Sequence, residues 1–186
     1  MDCRTDRRIA KTQTALREAF LALLLERGFD AITVKDLTER ANVSRKTFYL
    51  HYLDKYDLLN AVVDLHLADL DAVCAIKRAD SVEGTIIWFQ YFEQHKDFFT
   101  ALFSSGSTVR FRCRLLDFIR AQLGHKLEAV DPARNTDVLR TFAAMAVLGI
   151  VESYVLGELR ESTEQIATQV AQLLDQIIAR PIPPAQ

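Results

Sequence analysis

The sequence predicts an all-α protein, and three observations carry that expectation. Apolar residues recur three or four apart along nearly the whole chain, period-two alternation is almost absent, and the 186 residues include only six Gly and four Pro. A chain of this length, 49% apolar and 26% charged, can bury one sizeable core or carry a small module beside a larger one. Disorder is expected only at the ends.

The first helix is expected from about Asp6 to Arg27, because Ile9, Leu16, Ala19, Phe20, Leu23 and Leu24 fall on one stripe. Gly28 ends it by taking the left-handed position just past the last turn. Thr33 reads as the N-cap of a short helix carrying Val34, Leu37 and Ala41, and Asp36 at its third position completes a shortened capping box. Ser44 caps a third helix reaching about His51. Two helices of about two turns each, joined by three or four residues, have the proportions of a helix-turn-helix. Asp54 caps a fourth helix, whose stripe of Leu58, Leu59, Val62, Leu65, Leu67 and Leu70 runs on to about Ile76 and makes it a strut into the following domain.

A fifth helix is expected from Ser81 to His95, and Asp97 begins a short aromatic one with Phe98, Phe99, Leu102 and Phe103. The Ser-Ser-Gly-Ser stretch at 104–107 breaks the pattern before a helix holding Phe111, Leu115, Phe118, Ile119 and Leu123. Asp131-Pro132 is a turn signal, and a helix follows from about Thr136 to Gly157. Ser162 opens the last, in which Ile166, Val170, Leu173, Leu174, Ile177 and Ile178 recur three or four apart. Arg180-Pro181 stops it, leaving 181–186 as a flexible tail. No internal repeat is evident.

Several classes are disfavoured by composition. Arg4, Arg7, Arg8 and Lys11 lead into a stretch that Arg17 and Glu18 interrupt, so no targeting segment is expected there. The longest apolar run, Phe142 to Val151, is ten residues, too few to cross a bilayer, so no membrane partner is expected. Cys3, Cys74 and Cys113 lack the close pairs that zinc or a redox motif needs and read as free thiols in a reducing cytoplasm. His51, His66, His95 and His125 are dispersed, with no HExxH motif and no glycine-rich phosphate loop, so neither an enzyme nor a cofactor or metal is expected.

The formal charge is -2, but residues 1–57 hold eleven Lys or Arg against nine Asp or Glu, and the remainder twelve against sixteen. A modest basic excess at the front suits a compact face for duplex DNA with an acidic remainder. Residues 43–52, VSRKTFYLHY, divide in the way a major-groove helix requires. Val43, Phe48 and Tyr52 can face inward with Leu37 and Ala41, leaving Arg45, Lys46, Thr47, Tyr49 and His51 outward and Lys55 at the start of the next helix, with the capping Ser44 a further DNA-binding candidate.

Beyond this pattern, residues 9–60 resemble the TetR family of transcriptional regulators. The matching elements are the Phe20 and Leu24 stripe, Gly28-Phe29, Ile32-Thr33-Val34, Leu37, Ala41-Asn42-Val43-Ser44, Thr47-Phe48-Tyr49, His51-Tyr52, and Lys55 with Leu58-Leu59. The resemblance implies that Thr33 and Lys35 approach the DNA backbone and that Arg45 and Lys46 form the base-reading pair. Thr47 would contact phosphate or base, and Tyr49, His51 and Lys55 would clamp phosphates. The family commonly has a small residue where Lys46 stands, so Lys46 either reads a guanine edge or adds backbone charge. Tyr52 replaces the usual Phe.

One helix-turn-helix makes few base contacts, so such modules work in symmetric pairs. The last two long helices suit pairing into a homodimer: Ala143, Ala144, Ala146, Val147 and Gly149 allow close approach, while Val151, Val155 and the stripe from Ile166 to Ile178 supply apolar area. The aromatic concentration between strut and pairing helices either fills a core or lines an effector cavity, with Trp88, Phe92, Phe99, Phe103, Arg114, Phe118 and Phe142 as the candidate lining. The expectation is therefore a helix-turn-helix DNA-binding domain over 1–53 and a helical dimerisation and effector-binding domain over 54–180. The function that follows is a ligand-responsive repressor on a palindromic operator; the alternative is a helical protein-interaction adaptor without DNA binding.

Overall fold

The computed structural model describes residues 3–76, 81–130 and 136–179, and these form α-helices without a strand. In order they are α1 (Cys3–Arg27), α2 (Val34–Arg40), α3 (Arg45–Tyr49), α4 (Lys55–Ile76), α5 (Ser81–Gln94), α6 (Lys96–Phe103), a 3₁₀ turn (Gly106–Thr108), α7 (Val109–Val130), α8 (Asp137–Val155) and α9 (Thr163–Ala179). The all-α expectation holds, and the predicted starts and stops fall within a few residues of these. The Asp131-Pro132 turn, the Arg180-Pro181 stop and the 181–186 tail lie outside the described residues.

Two compact units divide the chain, one comprising 1–66 and 97–111, the other 67–96 and 112–186. The first therefore runs past the boundary expected at residue 53 and takes in α6. Burial supplies the reason. One long helix and two short ones offer little apolar area of their own; here Leu58, Leu59, Val62 and Val63 of α4 and Phe98, Phe99, Leu102 and Phe103 of α6 are also buried. His66 stacks on Phe98 with ring centroids 4.2 Å apart and meets Phe99 edge-on. Leu16, Phe20, Leu23, Leu24, Phe29, Ile32, Leu37 and Phe48 complete this core. Ile9, expected on the same stripe, is exposed, two turns (about 10 Å) before Leu16 along the helix.

In the second unit α5 packs chiefly against α9 and also against α8. Phe89 and Phe92 of α5 and Ile166, Ala167, Val170 and Ala171 of α9 are buried, and Leu127, Leu139 and Ile177 form a smaller cluster. Thr136 caps α8, its hydroxyl accepting from the Leu139 amide at 3.2 Å. At the other end Gly157 takes φ 76°, and its amide and that of Glu158 close on the carbonyls of Tyr154 and Ser153, a Schellman stop.

The two faces of α8 correct the expected pairing surface. Ala143, Ala144, Val147, Val151 and Val155, named for contact with a second copy, are buried inside the chain together with Leu139 and Tyr154. The opposite side carries Val138, Phe142 and Met145, exposed at 81%, 61% and 59%, with Ala146 and Gly149. At about 100° per residue, 138, 142, 145 and 149 form one narrow stripe. On α9 likewise Ile166, Val170 and Leu174 point inward and Leu173 outward. The ten-residue run is thus part of a 19-residue helix that is long and apolar enough to cross a membrane by length and composition alone. Its inward set is a core face within the chain.

Candidate nucleic-acid interface

The helix-turn-helix is held by interlocking caps. Thr33 accepts the Asp36 amide on its hydroxyl at 3.2 Å, while the Asp36 carboxylate accepts the Thr33 amide at 2.9 Å and its hydroxyl at 2.6 Å. This is the predicted capping box. Those hydrogen bonds, the hydroxyl of Thr33 first and its amide next, lower the Asp36 pKa, and Arg27, 3.4 Å away, adds to the effect.

At the end of α2 the chain reverses on Asn42, whose φ of 51° lies in the left-handed region that Asn tolerates better than most residues. The Asn42 and Val43 amides donate to the carbonyls of Glu39 and Thr38, a second Schellman stop. Two residues later Ser44 caps α3, its oxygen accepting from the Thr47 amide at 3.0 Å and lying 2.8 Å from the Thr47 hydroxyl.

Phe48 alone anchors α3, fully buried with Tyr52 tilted against it at 5.8 Å. Two residues either side of it, Lys46 and Leu50 lie about 160° away in opposite senses, so they share the outermost edge. Leu50 still has helical dihedrals, and its amide donates to the carbonyl of Lys46. Arg45, Lys46 and Tyr49 are exposed, and no ion pair involves Arg45 or Lys46 among the described residues. Thr47 and His51 flank them, half-buried, and Lys35 stands on α2, 3.8 Å from Glu39. The predicted contact residues Lys35, Arg45, Lys46, Thr47, Tyr49 and His51 thus sit on or beside two consecutive short helices, while Thr33 and Ser44 have their hydroxyls engaged as caps.

Lys55 has a different local task from the phosphate clamp the resemblance implied. Its ammonium donates to the carbonyls of Phe29, Asp30 and Ile32 at 3.1, 3.2 and 2.9 Å, and lies 4.7 Å from the Phe29 ring centroid. An ammonium has three donors, and all three are taken. Lys55 ties the start of α4 to the α1–α2 loop. The same loop is held from the other side: Ser105 donates to the Asp30 carboxylate at 3.0 Å. Hydrogen bonds from Ser107 and then Ser105, with the charge of Lys55, keep the Asp30 carboxyl below the ordinary carboxylate range. Sequence reading missed this lock and missed Leu50. Counting the angle of every α3 residue from Phe48 would have found Leu50; nothing local announces that a lysine will turn back onto carbonyls more than twenty residues earlier.

The residues expected to line an effector cavity fall in both units. Phe99 and Phe103 belong to the first unit, where both pack edgewise or tilted on Phe111. Trp88 and Phe92, in the second, meet edge-to-face at 4.7 Å and are buried. Arg114 and Phe118 are half-buried on α7, and Phe142 faces outward on α8. Neighbouring Arg112 makes a half-buried pair with Glu152 at 2.7 Å.

Comparison with known proteins agrees with this layout. Residues 16–62 match a family model described as bacterial regulatory proteins of the tetR family, and residues 80–176 a second one described as a transcriptional regulator C-terminal region. A curated relative, the uncharacterised HTH-type transcriptional regulator YxbF of Bacillus subtilis, is 26% identical over 177 residues, or 88% of this chain and 45% of that protein. The chain thus covers less than half the length of that relative. A second, the uncharacterised regulator YdeS of the same organism, is 48% identical over 44 residues, 24% of this chain and 22% of its own. Among solved structures, a TetR transcriptional regulator from Streptococcus agalactiae is 25% identical with a TM-score of 0.68, covering 91% of this chain and 97% of its own. A TetR-family regulator from Syntrophomonas wolfei reaches a TM-score of 0.72 at 16% identity, covering 95% and 99%, a likeness of fold.

Proposed function

Since the chain belongs to the TetR family of transcriptional regulators, and so is a regulator rather than an enzyme, we propose that it acts in the cytoplasm as a homodimeric, ligand-responsive repressor that binds a palindromic operator through α3. The observation that carries the DNA reading is the division of α3: Phe48 is fully buried while Arg45, Lys46 and Tyr49 stand exposed. A short rod held by one aromatic anchor, with cations turned outward, meets the requirement for entering the major groove. The adaptor reading leaves Arg45 and Lys46 without a counter-charge.

The outward stripe of α8 supports pairing of two copies, since its apolar side chains leave water only against another apolar surface. Two copies related by a two-fold axis read two half-sites, hence a palindrome. Repression is the simplest consequence, because a dimer seated on an operator excludes other proteins from that duplex. An effector would act through the second unit by favouring a spacing of the two α3 helices that no longer fits the half-sites.

Parallel titrations of a duplex selected from a random pool, and of an unrelated one, test this reading. Affinity for both should fall steeply with salt. Arg45→Ala should lose about 1–3 kcal/mol on the selected duplex and little on the other, whereas Tyr49→Ala should weaken both. Equal losses on both duplexes for Arg45→Ala would remove it as the base reader, and indifference to every duplex in dilute salt would end the regulator reading.

A further inference from the structure

We propose that Leu50 is a specificity residue of the α3 face, packing against thymine C5-methyl groups in the major groove next to the bases that Lys46 approaches. The inference rests on the reading of α3 as the DNA-facing helix and deepens it by naming which base the apolar part of that face selects.

Leu50 is 74% exposed, although its side chain is as apolar as those that form the core. One exposed leucine needs no explanation on an ordinary surface. Its position here is particular. It lies on the side of α3 away from Phe48, continues the helix with backbone dihedrals of -76° and -19°, and stands four residues after Lys46. Side chains four apart on a helix are neighbours, about 5–6 Å between Cβ atoms. The edge that would lead into the groove is therefore a pair, one cationic and one apolar, flanked by Arg45 and Tyr49.

The two members of that pair ask for different chemistry. Lys46 can donate to the acceptors of guanine or to a phosphate. Leu50 can neither donate nor accept, and a phosphate or a polar base edge would only strip water from itself against it. The apolar group that a major-groove edge presents is the C5-methyl of thymine. The surrounding charge favours a duplex over a protein as the partner: Arg45 and Lys46 on the same short helix complement a polyanion, and a lysine beside the apolar group is of a type depleted from protein–protein interfaces. Leu53 is also exposed, at 80%, but it lies in the turn before Asp54 and not on the α3 edge, so the same argument does not extend to it.

The test uses the full chain and duplexes that it selects from a random pool. In each selected duplex, thymines are replaced one at a time by uracil, which deletes the methyl group and leaves the base pairing unchanged. With the unaltered protein, one or two positions in each half-site should weaken binding about fourfold, the worth of one methyl-sized apolar contact. In Leu50→Ala the same replacements should cost less than twofold, while its melting temperature stays at the parent value because the side chain is exposed. Uracil tolerated at every position by the unaltered protein, or an undiminished penalty in Leu50→Ala, overturns the assignment and leaves α3 as the DNA helix. Failure to select any duplex overturns both readings at once.

Discussion

α3 and α8 both present an open face, but to opposite chemistry. The first is five residues with one buried side chain and an outer edge set by Arg45, Lys46, Tyr49 and Leu50. The second is nineteen residues with a mostly apolar inner face and, across the helix axis, a second apolar stripe of Val138, Phe142 and Met145. On the proposed reading, the short charged rod gains little from burial and meets a polyanion, whereas the long uncharged stripe meets another apolar surface. The contrast predicts that damage to one face leaves the other's partner untouched.

The largest separation should come from Phe142→Arg. Phe142 lies within the α8 stripe, and a charge in a desolvated contact between two copies should raise the dimer dissociation constant on the order of a hundredfold, the scale of an interface hot spot. Sedimentation velocity at micromolar protein should show a dimer for the parent and a monomer for the variant, whose helical circular dichroism stays at the parent level because the residue is exposed in the single chain, while its melting temperature falls by what pairing contributes. A parent that sediments as a monomer, or a variant that still pairs, would remove α8 from the interface.

The next effect is smaller and lies at the other face. If Lys55 locks the α1–α2 loop, then Lys55→Met leaves three backbone carbonyls short of a charged donor and should destabilise the protein by roughly 1–3 kcal/mol. The salt dependence of DNA binding should stay as it was. A phosphate clamp would behave in reverse, with stability unchanged and the salt slope reduced by about one counterion. Denaturant unfolding combined with a salt titration of the same variant distinguishes the two.

What was legible in the sequence follows from how local each signal is. Thr33 with Asp36, Ser44 with Thr47, Gly28 and Gly157 act within four residues of themselves, so their roles as caps and stops could be read directly. The stripe on α1 and the inward Phe48 follow from helical period alone. Long-range placement was not readable in that way. α8 is apolar on both sides, and periodicity does not say which side the chain covers for itself, so from sequence Ala143, Val147 and Val151 suit a partner and Phe142 an interior, the reverse of their burial in the chain. The aromatic run from Trp88 to Phe118 reads as one cluster in sequence, yet its members divide between two units. Lys55 is three residues from Tyr52 in sequence but spends its charge on the loop after Gly28, a pairing that only the folded chain creates.

The smallest expected effect concerns the capping box itself. Because the Thr33 hydroxyl and amide, and then Arg27, hold the Asp36 carboxyl below its ordinary value of 3.8, the folded state binds this proton less readily than the unfolded state. The resulting stabilisation is fully present above the ordinary value and is lost as the pH falls through the lower folded one. Asp30 follows the same sign, through Ser107 and Ser105. Asp36→Asn keeps an oxygen that can accept from the Thr33 amide but no longer titrates, so its melting temperature should be slightly lower than the parent's at neutral pH and converge on it toward pH 3. Parallel thermal melts between pH 3 and pH 7 measure the difference. A gap between parent and variant that stays constant into acid would mean that Asp36 contributes through its shape at the helix start and not through its charge.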